Sequence, residues 1–281
     1  MKIEVPLRWA DLDAQGHVNN ARFLDYMQDA RAEFLYSLGI ENLLREGFAV
    51  ASNKIEYYAP VFFAKDPLIA QITVDDLTPE SVTLAYKLYQ GDTKVAVART
   101  TLSGYNIATR TRRGLPKAAQ EAFLEILDPV EPLREIPWLP MNEHAKVSSM
   151  KVRWSDLDAY GHVNNAIIFD YVQEGRINFT AGAFKGLNDH PNTETLWFLA
   201  RQDAWYVNPI IFRREPYVVR TGVARMGRTS VTFSSQVDDP TNGQICARAA
   251  TVAVFADAHG KPLALTDELR NNLKPYLLAE E

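Results

Sequence analysis

Cysteine is almost absent from this chain, which contains a single one, Cys246, among 281 residues. One cysteine excludes an intrachain disulfide and favours a reducing compartment. Long apolar runs are absent as well, because no stretch approaches the ~18 consecutive apolar residues that a membrane-spanning helix needs. The N-terminal sequence MKIEVPLRW alternates like a strand and lacks the apolar segment of a signal peptide. We therefore predict a cytoplasmic protein without a membrane span.

A basic surface is also missing. The chain has 30 Lys and Arg against 35 Asp and Glu, a formal net charge of −5, which argues against nucleic acid as a partner. Neither a G-x-S-x-G elbow nor a phosphate-cradling glycine loop occurs, so an α/β-hydrolase mechanism is unsupported. With 47% hydrophobic and 23% charged residues, the composition is that of an ordinary globular protein. Its length allows two domains of about 100–150 residues each.

What the chain does contain is one motif written twice. Residues 7–31 and 152–176 lie 145 positions apart and share 16 of 25 residues when placed in register. The repeat predicts a tandem pair of one domain. Both copies hold the polar pattern D-x-D-x-x-G-H-x-N-N between apolar segments. Packing of a core alone does not require so many neighbouring polar groups.

Both halves predict the same order of elements: a strand, a polar loop, a helix, four strands and a short helical stretch. Alternation predicts strands over residues 2–9, 49–59, 67–78, 81–90 and 94–108, then over 148–154, 195–207, 216–226, 230–238 and 244–257. Apolar residues at i, i+3, i+4 and i+7 predict helices that begin near Asn20 and Asn165. One helix with four antiparallel strands predicts an α+β fold in which a curved sheet wraps the helix.

A proline-rich segment separates the halves. Four prolines lie between residues 128 and 140, a composition typical of a semi-rigid linker. We predict domains over residues 1–128 and 147–281, with residues 129–146 as the linker.

The repeated loop has groups suited to acyl-transfer chemistry. Gly16 and Gly161 permit a turn with positive φ before each helix, and an Asn at the helix start is a natural N-cap. First-turn amides beyond the cap can stabilise the oxyanion of a thioester or ester. A nearby carboxylate can serve as base or nucleophile, and an imidazole four residues later can orient or donate. The candidate catalytic residues are Asp13, His17, Asn20, Asp158, His162 and Asn165.

The same residues have a structural interpretation. Asp-x-Asp before a helix is a common capping arrangement, and a histidine beside it can simply bond a carbonyl group. Two of only five histidines lie in identical contexts, which favours function. A metal bound by Asp11, Asp13 and His17 lacks an evident fourth ligand, so no metal is expected. We interpret Asp11 and Asp156 as structural ion pairs with neighbouring arginines.

The motif R-W-x-D-L-D-A-x-G-H-V-N-N, followed by an aromatic-rich helix, resembles the hot-dog thioesterases of the 4-hydroxybenzoyl-CoA thioesterase-like group over both halves. The resemblance implies two tandem hot-dog domains, each an antiparallel sheet wrapped around a central helix, that form an internal pseudo-dimer. It implies Asp13 and Asp158 as catalytic carboxylates, with the amides at Asn20 and Asn165 polarising the carbonyl group. The implied reaction is hydrolysis of an acyl-CoA to free acid and CoA. CoA is then part of the substrate, and no separate cofactor is expected.

Several alternatives stay open. Plant-type acyl-carrier-protein thioesterases resemble the loop too, but they add an Asn where this chain has Gln15 and Tyr160. The halves also differ at Glu56 and Trp205, which predicts two unlike pockets. A non-catalytic acyl-CoA-binding protein and an enoyl-CoA hydratase are further candidates, and a homo-oligomer of pseudo-dimers is compatible with each of them. The cations proposed for the CoA phosphates are Arg110, Arg112, Arg113, Arg225 and Arg228.

Overall fold

The chain divides into two compact units. The computed structural model describes residues 1–13, 15–64, 66–109, 111–183 and 195–279. Unit 1 comprises Met1–Leu133 and unit 2 comprises Arg134–Glu281. Each unit has an antiparallel sheet and one long helix, so the predicted α+β class is confirmed.

The sheet of unit 1 is built from β1 (Lys2–Val5), β2 (Phe48–Tyr57), β3 (Leu68–Leu77), β4 (Ser81–Gln90), β5 (Thr93–Asn106) and β6 (Thr111–Arg113). The strand order is β1-β3-β4-β5-β2, with β6 paired to β5, and every pair is antiparallel. The four long strands end within two residues of the predicted bounds. The first strand was predicted too long, because Pro6 follows Val5 and has no amide hydrogen to continue the ladder.

The long helix of unit 1 packs on this sheet through an apolar stripe. A 3₁₀ turn over Asn20–Arg22 leads into α1 (Phe23–Ser37), and α2 (Leu43–Glu46) and α3 (Lys117–Leu124) follow along the chain. The stripe on α1 is spaced at helical intervals and is fully buried; it includes Phe23, Met27, Ala30 and Phe34. Since α1 contacts β1 and β3, this stripe faces the sheet as the periodicity predicted.

Unit 2 repeats the arrangement with β7 (Lys146–Met150), β8 (Thr195–Tyr206), β9 (Tyr217–Met226), β10 (Ser230–Asp239) and β11 (Gln244–Asp257). Its order is β8-β11-β10-β9-β7, again antiparallel. The helices are α4 (Ile167–Ala183) and α5 (Asp267–Leu273). Phe179 of α4 meets Phe233 of β10 with ring centroids 5.5 Å apart, which fixes the helix on the sheet.

The proline-rich segment is bound to the units at both of its ends. In unit 1 the Val130 amide donates to the Asp75 carboxylate (2.8 Å). In unit 2 the Trp138 indole donates to the Ser235 carbonyl oxygen (3.1 Å), and the Arg248 guanidinium lies 4.6 Å from the Trp138 ring centroid. The end of the predicted linker is already part of a strand, since β7 begins at Lys146.

Candidate active site

The loop before α1 is organised by Asp13. Its carboxylate oxygen Oδ1 accepts hydrogen bonds from the backbone amides of Gln15 (2.8 Å) and His17 (3.3 Å). The Asp13 amide donates in turn to the His17 carbonyl oxygen at 2.7 Å. Gly16 has φ 77°, the positive value that the turn was predicted to need. The Asp13 carboxylate therefore stabilises the turn in which Asp13 itself lies.

Asp158 organises the second loop in the same way. Its Oδ1 accepts from the amides of Tyr160 (2.8 Å) and His162 (3.2 Å). The Asp158 amide donates to the His162 carbonyl oxygen at 2.7 Å, and Gly161 has φ 74°. The two loops share one backbone conformation and one set of carboxylate contacts.

Each aspartate has one carboxylate oxygen that accepts no hydrogen bond from the described residues. Only Oδ1 of Asp13 and of Asp158 accepts hydrogen bonds from the part of the chain that the structure describes. Oδ2 is then the atom that can take a proton from water or attack a carbonyl carbon. The structural and functional interpretations are thus compatible, because each uses a different oxygen of one carboxylate.

The helix start is capped by the first asparagine of each pair. Asn19 Oδ1 accepts from the Ala21 amide (2.9 Å), and Asn164 Oδ1 accepts from the Ala166 amide (3.0 Å). The predicted cap is confirmed at Asn19, so Asn20 lies in the first turn. Among the described residues the backbone amide of Asn20 has no protein acceptor. An amide at the positive end of a helix is suited to an oxyanion.

Two tyrosines that the sequence did not single out support the helix starts. The Tyr57 hydroxyl donates to the Asn20 carbonyl oxygen (3.1 Å), and the Tyr206 hydroxyl donates to the Asn165 carbonyl oxygen (2.9 Å). Each tyrosine is the last residue of its strand, β2 or β8. The only signal in the sequence is that Tyr recurs at this place although the five residues before it differ between the two strands.

A tyrosine–aspartate hydrogen bond lies beside each loop, partly buried in unit 1 and buried in unit 2. The Tyr26 hydroxyl donates to Asp11 Oδ2 (2.8 Å), and the Tyr171 hydroxyl donates to Asp156 Oδ2 (2.6 Å). Burial, together with the bond to Asp11, raises the pKa of Tyr26 to about 12. Burial and the bond to Asp156 also raise the pKa of Tyr171.

The Tyr26 bond corrects the predicted ion pair at Asp11. The neighbouring Arg8 pairs instead with Asp29, at 2.6 Å. At the other loop, Arg153 reaches Asp156 through its backbone amide (2.8 Å). Both aspartates also position the caps, because the amides of Asn19 and Asn164 donate to their carbonyl oxygens at 2.8 Å.

The two histidines lie beside apolar residues of the segment that follows β2 or β8. The His17 ring meets the Phe62 ring edge to face, with centroids 4.9 Å apart. The backbones of His17 and Phe62 also form an isolated bridge, as do those of His162 and Ile211. These contacts fix the position of each histidine against the segment that follows the strand. They also bring an exposed apolar surface next to the candidate site.

Two of the arginines proposed for CoA, Arg112 and Arg113, lie far from the loop of their own unit. Arg110 lies outside the described residues. Arg112 and Arg113 belong to β6, where Arg113 pairs with Gly104 and also contacts Glu46. Gly104 lies opposite Phe48, the first residue of β2, whereas Tyr57 at the other end of β2 holds the helix start. A ten-residue strand spans roughly 30 Å, so the fold does not bring these arginines to Asp13 within unit 1.

Unit 2 places its two candidates in a similar way. Arg225 is exposed near the end of β9, and Arg228 is exposed in the turn that follows. Tyr217 at the start of β9 donates to Ile211, which pairs with His162. Arg225 is eight residues from Tyr217 along the strand, roughly 26 Å. Within its own unit this pair is also remote from the loop.

The positions at which the halves differ fall in two places. Gln15 is exposed and Tyr160 is half-buried, each within its loop. Glu56 and Trp205 neighbour Tyr57 and Tyr206, which reach the helix start from the sheet. Successive strand residues point to opposite faces, so Glu56 and Trp205 lie on the face away from the helix.

Neither a metal-ligand cluster nor a membrane-spanning helix occurs in the part of the chain that the structure describes. Over the described ranges, no three His, Cys, Asp or Glu side chains are grouped so that they could hold a metal ion. The helices in those same ranges are all too short or too polar to cross a lipid bilayer.

Comparison with known proteins identifies the family. The sequence model of the thioesterase-like superfamily matches residues 7–124 and again residues 152–273, which together make up most of the chain. The chain belongs to the thioesterase-like superfamily. This assignment confirms the prediction of a thioester hydrolase built from two tandem copies of one domain.

Proteins of known sequence or structure are also similar to this chain. The uncharacterized protein YsmA of Bacillus subtilis (strain 168) is 30% identical over 129 residues, which cover 45% of this chain and 83% of YsmA. A protein described as an oleoyl thioesterase from Lactobacillus plantarum superposes with a TM-score of 0.70 at 14% identity, covering 90% of this chain and 94% of its own. The 12:0-ACP thioesterase from Umbellularia californica gives 0.70 at 15% identity, covering 91% and 94%. At these identities the two structures establish the fold, and the predicted tandem hot-dog fold is confirmed.

Proposed function

We propose that this superfamily member hydrolyses acyl-CoA to a free carboxylic acid and CoA, with Asp13 and Asp158 as the catalytic carboxylates. The observation that carries the proposal is the carboxylate geometry of the two loops. Loop amides bind Oδ1 of each aspartate, which leaves Oδ2 oriented by the turn. Such a carboxylate is preorganised for reaction, because no side-chain rotation has to be frozen in the transition state.

In the proposed reaction Oδ2 of the aspartate takes a proton from water as the water oxygen adds to the thioester carbonyl carbon. The oxyanion that forms accepts a hydrogen bond from a first-turn amide, for which the Asn20 amide is the candidate in unit 1. Collapse of this intermediate breaks the carbon–sulfur bond, and the thiolate of CoA leaves and is protonated. Direct attack by Oδ2 would give an anhydride, which water then hydrolyses to the same products.

We assign His17 and His162 a positioning role. Each histidine donates its backbone amide to the catalytic carboxylate and accepts the aspartate amide at its carbonyl oxygen. The His17 ring rests against Phe62. Replacing the imidazole ring is therefore expected to change the shape of the surface beside the loop without removing a proton donor or acceptor from the reaction.

Release of free thiol from acyl-CoAs of increasing chain length tests the activity. Each aspartate is replaced alone, Asp13→Asn or Asp158→Asn, because an Asn oxygen can still accept the two loop amides and preserve the turn. Loss of general base catalysis typically costs 10²–10⁴-fold in rate. If both units are catalytically active, each single variant keeps about half of the wild-type rate. If one unit is active, the variant in that unit loses nearly all of the rate and the other variant keeps it. Asp92→Asn, in the exposed turn between β4 and β5, is the matched control and keeps full activity.

Acyl carrier protein is the second candidate for the thiol carrier, since the fold is shared with a 12:0-ACP thioesterase. Rates on acyl-CoA and on the matching acyl-carrier-protein thioester, measured at equal concentrations, separate the two. Saturable binding of acyl-CoA without thiol release at any chain length would instead indicate a binding protein. Loss of enoyl absorbance without free thiol would indicate a hydratase.

We also propose that hydrolysis needs no metal or other cofactor and takes place in the cytoplasm. The first part predicts that turnover survives exhaustive treatment with EDTA followed by gel filtration. Activity that disappears on chelation and returns with a divalent ion would contradict it.

A further inference from the structure

An exposed apolar surface adjoins each loop and is repeated in both halves. We call these surfaces the unit 1 rim (Trp9, Phe62 and Phe63) and the unit 2 rim (Trp154, Ile211 and Phe212). The tryptophans are 73% and 74% exposed, and every other rim side chain is at least 41% exposed. Large apolar side chains at equivalent positions in two diverged copies indicate a contact surface.

The unit 2 rim is continuous with the loop that carries Asp158. The backbone of Ile211 pairs with that of His162. The Trp154 ring meets the Phe212 ring edge to face, at 5.2 Å between centroids. Trp154 precedes Asp158 by four residues, so their Cα atoms are at most about 14 Å apart. A ligand held on this rim can therefore extend to the loop.

Three exposed cations flank the unit 2 rim: Lys151, Arg153 and Arg214. None of them forms an ion pair with a carboxylate in the described part of the chain. Of the neighbouring acids, Asp156 is buried against Tyr171, and Glu215 is exposed. Asp158 of the adjoining loop is a further carboxylate, and none of these acids forms an ion pair with the three cations, which therefore have their charge available to a phosphate group.

Among the residues that the structure describes, the unit 1 rim lacks the cations that flank the unit 2 rim. Pro6 stands where unit 2 has Lys151. Arg8, the counterpart of Arg153, is held by Asp29 at 2.6 Å. The counterpart of Arg214 is Lys65, which lies outside the described residues. The two rims thus share their apolar side chains, and the described residues around them differ in charge.

We propose that the unit 2 rim binds the 3′-phosphoadenosine end of CoA, with the adenine stacked on Trp154 and the phosphates paired with Arg153 and Arg214. Every base has a π-face that stacks on an exposed aromatic ring, and guanidinium groups match phosphate geometry. A compact phosphorylated ligand can bind a small group of cations on an acidic protein. An acidic carrier protein covers a larger area and would be repelled by the net negative charge of the chain. This proposal rests on the proposed acyl-CoA hydrolysis and identifies which rim holds the carrier.

Calorimetric titration with adenosine 3′,5′-bisphosphate tests the proposal without turnover. Trp154→Ala is expected to raise the dissociation constant roughly tenfold or more, since base–aromatic stacking is worth that much. The double variant Arg153→Ala, Arg214→Ala is expected to weaken binding further and to reduce its dependence on salt. Trp9→Ala and Arg8→Ala are the matched controls from unit 1, and neither changes the affinity.

Comparison of KM for two thioesters, one with the nucleotide and one without it, tests whether this binding contributes to the reaction. In the wild type, KM for an acyl-CoA is expected to be lower than KM for the same acyl group on N-acetylcysteamine, which has no nucleotide. Trp154→Ala removes this advantage, and Trp9→Ala keeps it.

The proposal is overturned if the wild type does not bind the bisphosphate, or if Trp154→Ala and Trp9→Ala weaken binding equally. Efficient turnover of acyl-acyl-carrier protein, with no preference for CoA over N-acetylcysteamine, also overturns it. Failure of the proposed function has a separate signature: no free thiol is released from either thioester, whatever the calorimeter records.

Discussion

Removal of the Tyr171 hydroxyl tests how strongly a buried carboxylate supports the second loop. Asp156 is 7% exposed and accepts from the Tyr171 hydroxyl at 2.6 Å. In Tyr171→Phe the Arg153 amide, at 2.8 Å, is the one donor that the carboxylate keeps among the described residues. Hydrogen bonds to charged groups contribute about 1.5–3 kcal/mol. Because one donor remains, we expect a loss of about 2 kcal/mol rather than the 3–5 kcal/mol of an unpaired buried charge.

Tyr26→Phe is the matched variant in unit 1. Asp11 is half-buried and its bond to Tyr26 is 2.8 Å, so water can replace the lost donor and the expected loss is about 1 kcal/mol. Urea unfolding at pH 7 measures both variants. Four of the five tryptophans lie in unit 2, so indole fluorescence follows Tyr171→Phe and circular dichroism follows Tyr26→Phe. Equal losses, or a loss below about 0.5 kcal/mol for Tyr171→Phe, would refute this reasoning.

Three further predictions concern buried groups. Tyr86 and Thr251 each have a buried hydroxyl without a hydrogen-bond partner among the described residues. Tyr86→Phe and Thr251→Val should therefore each raise the free energy of unfolding by roughly 1 kcal/mol and shift the urea midpoint upward. A lower midpoint would mean that the hydroxyl has a partner. Burial raises the pKa of Tyr26 to about 12 from 10.0, so its contribution to stability is complete below pH 10 and is lost between pH 10 and 12; Tyr26→Phe should flatten that alkaline slope, and an unchanged slope would contradict the assignment. Burial also raises the pKa of Cys246 to about 12, so the native protein should not react with Ellman's reagent at pH 8 and the urea-unfolded chain should release one equivalent; rapid reaction of the native thiol would show that it is accessible.

The strands could be predicted because their signal is local. In β4, alternate residues such as Val82, Leu84, Tyr86 and Leu88 are buried, and a period of two is visible in the sequence itself. Short elements carried no such signal, since α2 has four residues and β6 has three.

The loop could be predicted in composition and in part of its geometry. Asn caps and positive φ at glycine follow from local rules, and they appear at Asn19, Gly16 and Gly161 as those rules require. The Tyr57 bond to Asn20 joins residues 37 positions apart, and it depends on where β2 ends beneath the helix. No local pattern encodes that contact.

Placement of the cations needed the register of the sheet. Arg112 and Arg225 sit in sequence contexts that are compatible with phosphate binding. Their distance from the loops within each unit became visible only once β6 was paired with β5 and β9 with β10. Exposure has the same dependence on the fold, because the sequence does not reveal that Trp154 is 74% exposed.

The most direct test of the central claim is thiol release by the double variant Asp13→Asn, Asp158→Asn, measured with saturating acyl-CoA beside Asp92→Asn. We predict that the double variant loses at least 100-fold in kcat. Its thermal midpoint should stay at the wild-type value, because both Asn side chains still accept the loop amides. Full turnover by the double variant would contradict the account, since the other carboxylates of the two loops, Asp11 and Asp156, accept hydrogen bonds from the Tyr26 and Tyr171 hydroxyls.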